Sequence, residues 1–191
     1  MKRIIMIAAI ALMSVAANAQ NLKFAHVNFN ELVTLMPEMD AAREASEASA
    51  KEAEEVYQAM VEEFQTKLQQ YEQKQATWTP AVKESKEREL TEIQNRIQEY
   101  QSAIQQELQQ QQQQLMAPIY QKATETVNAL AKKHGVIYVF DIQSMLYVDA
   151  AQSMDLTAEA RTALNIPAGR TLESLQAELQ AKAQAQQQQV Q

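Results

Sequence analysis

Asp141, Asp149 and Asp155 stand close together in the last third of the chain, and with His26 and His134 they are the side chains with which it could hold a metal or move a proton. A calcium loop needs oxygen ligands at fixed steps, and the spacing of these aspartates matches no such loop. Turn and cap roles fit them better, because an aspartate readily accepts from nearby backbone N–H groups. His26, within an alternating run, reads as a sheet-surface residue, and His134, beside Gly135, as a residue at the C-terminal end of a helix dipole. Cysteine is absent, which removes thiolate nucleophiles, zinc knuckles and disulfides. Gly135 and Gly169 are the only glycines, too few for a phosphate-cradling loop. No convergent set of acid, base and nucleophile remains, so neither an enzyme nor a cofactor or metal is expected. The net charge, −7 in full and −9 without Lys2 and Arg3, argues against nucleic acid as a partner. The chemistry left to the chain is that of contact.

Residues 1–19 read as an export signal. Lys2 and Arg3 precede an apolar run from Ile4 to Val15, and Ala17-Asn18-Ala19 supplies the small-x-small cleavage pattern. The run is about twelve residues, short of the roughly twenty a spanning helix requires, so a periplasmic chain without a membrane anchor is expected. Removal of Lys2 and Arg3 takes the net charge from −7 to −9.

Residues 38–133 carry two helical periods. One apolar stripe runs through Tyr57, Val61, Phe64, Leu68 and Tyr71, the other through Leu90, Ile93, Ile97, Tyr100, Ile104 and Leu108. Between them Trp78-Thr79-Pro80 breaks the period, since proline drives its predecessor out of the helical region and can open the next helix. A reversal at 78–80 pairs Leu68 with Leu90, Phe64 with Ile93, Val61 with Ile97, Tyr57 with Tyr100, Ala50 with Leu108 and Met39 with Ile119. Every pair sums to 157 or 158, the mirror of one antiparallel coiled-coil arm. At ~1.5 Å per residue its helices extend for ~60 and ~80 Å, so the arm projects. Ser46, Glu47, Ala48 and Ser49 face Gln109 to Gln112 in that register and bury little apolar area, which predicts a thin, compliant stretch. Pro118 is expected to kink the second helix.

Residues 20–37 and 134–166 together form the β-rich body that the arm leaves and re-enters. Lys23 to Phe29 alternates as a strand, Gly135 supplies a helix C-cap, and two further strands, Val136 to Ile142 and Met145 to Val148, join tightly through Gln143 and Ser144. Thr157 is a plausible cap for a short closing helix that ends near Asn165. Three short strands leave too many edges and too little core for one chain, so copies should associate. Val27, Phe29, Val136, Tyr138, Phe140, Leu146 and Val148 are the candidate oligomerisation residues. Residues 167–191 form a polar Gln/Ala-rich tail expected to fray.

The order of these parts carries a resemblance. An export signal, Phe24-Ala25-His26-Val27-Asn28, a long charged hairpin, Gly135-Val136-Ile137-Tyr138-Val139-Phe140-Asp141 and Asp155-Leu156-Thr157 together resemble the Skp (OmpH-like) family of periplasmic chaperones across 24–166. The resemblance implies a mainly α fold with a small β body, in which a barrel-like trimerisation base carries long antiparallel coiled-coil arms around a cavity. It further implies a homotrimer that holds unfolded outer-membrane β-barrel proteins without ATP. Skp-like arms are often basic, whereas residues 38–133 hold 17 acids and 11 bases, which argues against lipopolysaccharide binding through a basic groove and favours basic clients. Client contact is assigned to side chains near the far end of the arm, Trp78 with Val82 and Tyr71. The competing class is a structural or adaptor coiled coil of the cell envelope, which the same periodicity supports.

Overall fold

The computed structural model describes residues 23–189. The export signal read at residues 1–19 lies outside them. The described chain is mostly helical. In order its elements are β1 (Phe24–Val27), α1 (Phe29–Leu35), α2 (Pro37–Lys74), α3 (Pro80–His134), β2 (Tyr138–Asp141), β3 (Ser153–Asp155), α4 (Thr157–Ala163) and α5 (Leu172–Gln189), with 3-10 turns at Gln75–Thr77 and Ile142–Ser144. Two compact units divide it: the described residues up to Met39 with those from Ile119 onward, and Asp40–Pro118.

The first unit is organised on β1. The strand order is β2-β1-β3, and β1 runs parallel to both neighbours, with Phe24 beside Tyr138 and Ser153, and His26 beside Phe140 and Asp155. A central strand is covered on both faces, so Ala25, His26 and Val27 are all buried. His26 is therefore not a sheet-surface residue. Its Nδ1 lies 2.8 Å from Ser153 Oγ and its Nε2 4.0 Å from Asp155, which gives a buried imidazole the polar partners it needs.

The strand expected over Met145 to Val148 is not formed, and the third strand is β3, further on. A two-residue hairpin requires positive φ, which glycine or asparagine tolerates and Gln143 and Ser144 do not. Instead, Asp141 accepts from the Gln143 N–H at 3.2 Å, the Met145 N–H reaches the Ile142 carbonyl at 3.2 Å, and the chain turns through a 3-10 segment. It then passes from one edge of the sheet to the other, as parallel strands demand. The sheet of one chain is open rather than closed into a barrel, with β2 and β3 as its edges.

Phe29 opens a helix instead of ending the strand. Asn28 caps α1: its Oδ1 accepts from the Glu31 N–H at 3.2 Å and its Nδ2 donates to the Glu31 carboxylate at 3.1 Å, a reciprocal cap that satisfies an orphan donor. The helix stops at Met36, held extended before Pro37. Its Leu32, Val33 and Leu35, with Met36, are buried and pack in one core with Leu156, Ala160, Leu164 and Leu175 of the C-terminal segments. Full burial of one leucine is worth about 1.5–3 kcal/mol.

Thr157 is not the cap of α4; Leu156 holds that position. The Thr157 hydroxyl instead accepts from the Asn28 N–H at 3.0 Å, tying α4 to the end of β1. The tail is also more ordered than its composition suggests. Thr171 and Ser174 cap α5 reciprocally, at 2.9 and 3.1 Å, and Leu175 is buried.

In the second unit, bonds between α2 and α3 join Lys67 to Glu89, Glu63 to Arg96 at 2.8 Å, the Ala53 carbonyl to the Tyr100 hydroxyl at 3.1 Å, and Ser49 to Gln111 at 2.7 Å. Partner numbers fall along one helix as they rise along the other. Stripe residues Tyr57, Val61, Phe64, Leu68, Leu90, Ile97 and Tyr100 are half-buried between exposed neighbours, whereas Ala42, Ala53 and Ile93 are the unit's buried apolar side chains among the described residues. Pro118, where a kink was expected, lies inside α3 without interrupting it.

Helix α3 ends on Gly135 at φ +63°, with the Gly135 N–H bonded to the Lys132 carbonyl at 3.2 Å and the Val136 N–H to the Ala131 carbonyl at 3.1 Å. Asn165, at φ +58°, plays the same part after α4. A Cβ at position 135 meets nothing within 4 Å, so only backbone strain opposes a side chain there. Gly135→Ala should cost about 1–2 kcal/mol and Gly135→Asn less, read as a lowered midpoint of thermal or urea unfolding with the helical content of the native state unchanged.

Candidate functional site

The three aspartates that open the sequence reading are engaged as turn residues. Each accepts a backbone N–H two residues on: Asp141 from Gln143 at 3.2 Å, Asp149 from Ala151 at 2.9 Å and Asp155 from Thr157 at 2.8 Å. Among the described residues no group of three or more His, Cys, Asp or Glu converges as a metal site. His134, at the end of α3, lies 2.6 Å from Glu159, to which Lys133 also bonds at 2.6 Å. The Lys133 ammonium, with His134 second, holds the Glu159 carboxyl below the usual range. These are fastenings within the first unit, and the surfaces left for function are apolar.

One such surface begins on the outer strand β2. Tyr138 is 60% exposed and Phe140 40%, with rings 6.1 Å apart, and Tyr138 also stacks on Phe24 at 6.3 Å. The exposed run continues through Ile142, Met145, Leu146 and Tyr147; Leu146 is fully exposed and Tyr147 78% exposed. An edge strand with unpaired backbone groups beside bare aromatic and aliphatic side chains is built to be covered.

The residues singled out from the sequence divide three ways here. Tyr138, Phe140 and Leu146 are exposed; Phe29, Val136 and Val148 are half-buried, with Phe29 packed 6.1 Å from Tyr120; Val27 is in the core and unavailable to a second copy. Ile137, Ile142, Met145, Tyr147, Tyr120 and Met154 are exposed as well and had not been singled out. For Ile137, Ile142, Met145 and Tyr147 the signal was the apolar run on either side of Gln143 and Ser144, which reads as strand when both of its faces are assumed to be used.

The second surface lies at the turn between α2 and α3. The 3-10 segment ends at Trp78 in extended conformation, the Thr77 hydroxyl closes on the Lys74 carbonyl at 2.8 Å, and α3 starts at Pro80 with the Lys83 N–H on the Thr79 carbonyl at 3.0 Å. Trp78 is half-buried, edge-on to Tyr71 at 5.8 Å, and Val82 is 41% exposed on the first turn of α3. Trp78 also borders a hollow shared with Lys67, Lys74, Lys86, Glu89 and Leu90. The Tyr71 hydroxyl bonds to the Glu87 carboxylate, which raises its pKa. Hydrogen bonds from Lys67 and then Lys86 lower the Glu89 carboxyl to about 2. This end of the unit is held by polar rungs on a small aromatic pair.

A family model described as "Outer membrane protein (OmpH-like)" matches residues 23–164. No curated protein matches the chain. No helix among the described residues is long and apolar enough to cross a membrane.

Because the Glu89 pKa is depressed in the folded chain, its ion pairs stabilise fully above the ordinary carboxylate range and lose that contribution as pH falls from about 4.5 toward about 2. Thermal melts followed by helical dichroism should therefore show stability declining through that interval, with a shallower decline in Glu89→Gln.

Proposed function

The chain belongs to the OmpH-like family, which includes periplasmic chaperones, and from that premise we propose that it is an ATP-independent holdase that keeps unfolded outer-membrane β-barrel proteins from aggregating. Cleavage after Ala19 would deliver it to the periplasm. The observation that carries the reading is the bare apolar run from Ile137 to Tyr147, which begins on an edge strand and which a solitary exported chain would leave open to every sticky neighbour.

Copies covering that run on one another convert a liability into a shared base, and a homotrimer is the count that the family resemblance implies. Antiparallel helical hairpins turning at residues 78–80 are then the arms that several copies place around a client. Many weak contacts on such arms retain an unfolded chain without choosing a structure for it, and enclosure lowers its rate of encounter with other sticky chains. Trp78, with Val82 and Tyr71, supplies amphipathic contacts near the turn.

The mature chain should suppress aggregation of a urea-unfolded β-barrel protein on dilution at near-stoichiometric ratio; an envelope spacer would leave it unchanged. Trp78→Ala should weaken client retention several-fold with helicity and assembly intact, and equal retention would remove the turn from the mechanism. Light scattering should give a mass of several protomers for the mature chain, falling to one protomer in Tyr138→Asp with Leu146→Asp. A single-protomer mass for the unaltered chain would overturn the shared base.

A further inference from the structure

The geometry points to a docking groove midway along the second unit, where the gap between α2 and α3 at Ala53 and Tyr100 takes cationic, apolar-anchored segments of unfolded polypeptide. Ser49, Ala50 and Ala53 have too little side chain to fill the space between the helices. Tyr100 stands across it, its hydroxyl donating to the Ala53 carbonyl at 3.1 Å. Two hollows of about 480 and 500 Å³ share Ala53, Tyr100 and Ile104 in their walls; Tyr57 borders the first, and Val56 and Leu108 the second. Tyr57, Tyr100, Ile104 and Leu108 are only half-buried, and Val56 is 41% exposed. Such volumes are in the range that encloses a ligand-sized apolar group.

Charge decides what enters. Across residues 44–63 and 92–114 there are ten carboxylates, Glu44, Glu47, Glu52, Glu54, Glu55, Glu62, Glu63, Glu92, Glu99 and Glu107, against Lys51 and Arg96 alone. By contrast, residues 64–91, around the turn, hold five bases and four acids. Glu52, Glu54 and Glu107 border the hollows, and none of the three makes an ion pair among the described residues. A slot that bares tyrosine, isoleucine and leucine side chains between carboxylates without a cationic partner, Glu54 being bonded only to the Gln58 amide at 2.5 Å, attracts lysine or arginine flanking an aromatic or aliphatic anchor and repels acidic chains. A second copy of this chain, with the same acidic face, is an unfavourable occupant. An extended segment with basic and apolar side chains in alternation meets both demands, and alternation is the pattern of a barrel strand.

The inference rests on the holdase reading for the unfolded state of the occupant, and its test separates the two. Fluorescence anisotropy of labelled twelve-residue peptides, alternating lysine with leucine, glutamate with leucine or serine with leucine, would be measured with the mature chain at physiological salt. The lysine peptide should bind at least about five-fold more tightly than the other two. Glu52→Gln with Glu54→Gln and Glu107→Gln should abolish that preference, and Ser49→Leu with Ala50→Leu, which fills the hollows, should weaken binding of the lysine peptide. Both variants should keep the dichroism of the unaltered chain.

Equal affinity for all three peptides, or unchanged lysine-peptide binding in the glutamine variant, overturns the groove. So does a glutamine variant that loses its helical dichroism with its binding, because the carboxylates would then be structural. Aggregation suppression by the unaltered chain, measured beside it, reports on the holdase reading by itself: suppression with no lysine preference discards the groove alone, and lysine preference without suppression discards the holdase alone.

Discussion

Four residues of backbone, Phe24 to Val27, hold the first unit together. They bond on one side to a strand that begins more than a hundred residues later and on the other to one that begins later still, and both pairings are parallel. Parallel neighbours cannot be reached by a tight turn, so a long excursion between β1 and β2 is a topological requirement. Around β1 the remaining ties follow. Asn28 caps α1 from the strand's end, its own N–H is taken by Thr157, and Arg161 joins Glu31 to the Pro167 and Arg170 carbonyls, so that the start of the chain is fastened to segments near its finish.

The second unit is stabilised on different terms. With three buried apolar side chains among its described residues, its helices lean on half-buried stripes and on exposed rungs, and exposed ion pairs contribute only about 0–1 kcal/mol each. Such a unit separates easily in patches. The Ser49, Ala50 and Ala53 stretch is where apolar area between the helices runs short, and Tyr100 spans it with one hydrogen bond to a carbonyl. Adaptable binding surfaces are drawn from the low end of local stability.

Both units thus expose what a self-sufficient protein would cover. In the first, the exposed apolar run follows from sheet order: β2 is an edge, and the segment after it must travel to the opposite edge before β3 can form. In the second, exposure follows from residue size, since alanine and serine leave neighbouring tyrosine, isoleucine and leucine side chains uncovered. The charge around the gap then restricts what can cover them.

Local signals were enough for the helices of the middle, where the three-four period, the proline at position 80 and the glycine at 135 mark stripe, start and stop by the chain's own geometry. Asn28 and Glu31 cap α1, a helix that begins at the last residue of the alternating run. Strand identity was not legible. Met145 to Val148 is as apolar as a buried strand yet forms none, while Ser153–Asp155, short and with two polar residues in three, does, because a partner's unpaired backbone selects a strand more strongly than propensity does. Position in the sheet likewise buried His26, and packing of α5 against α1 buried Leu175. What amino-acid order determines alone is what a residue does with neighbours a few steps away; which edge stays open, and which side chains water still reaches, depends on segments more than a hundred residues apart, and only their packing could decide it.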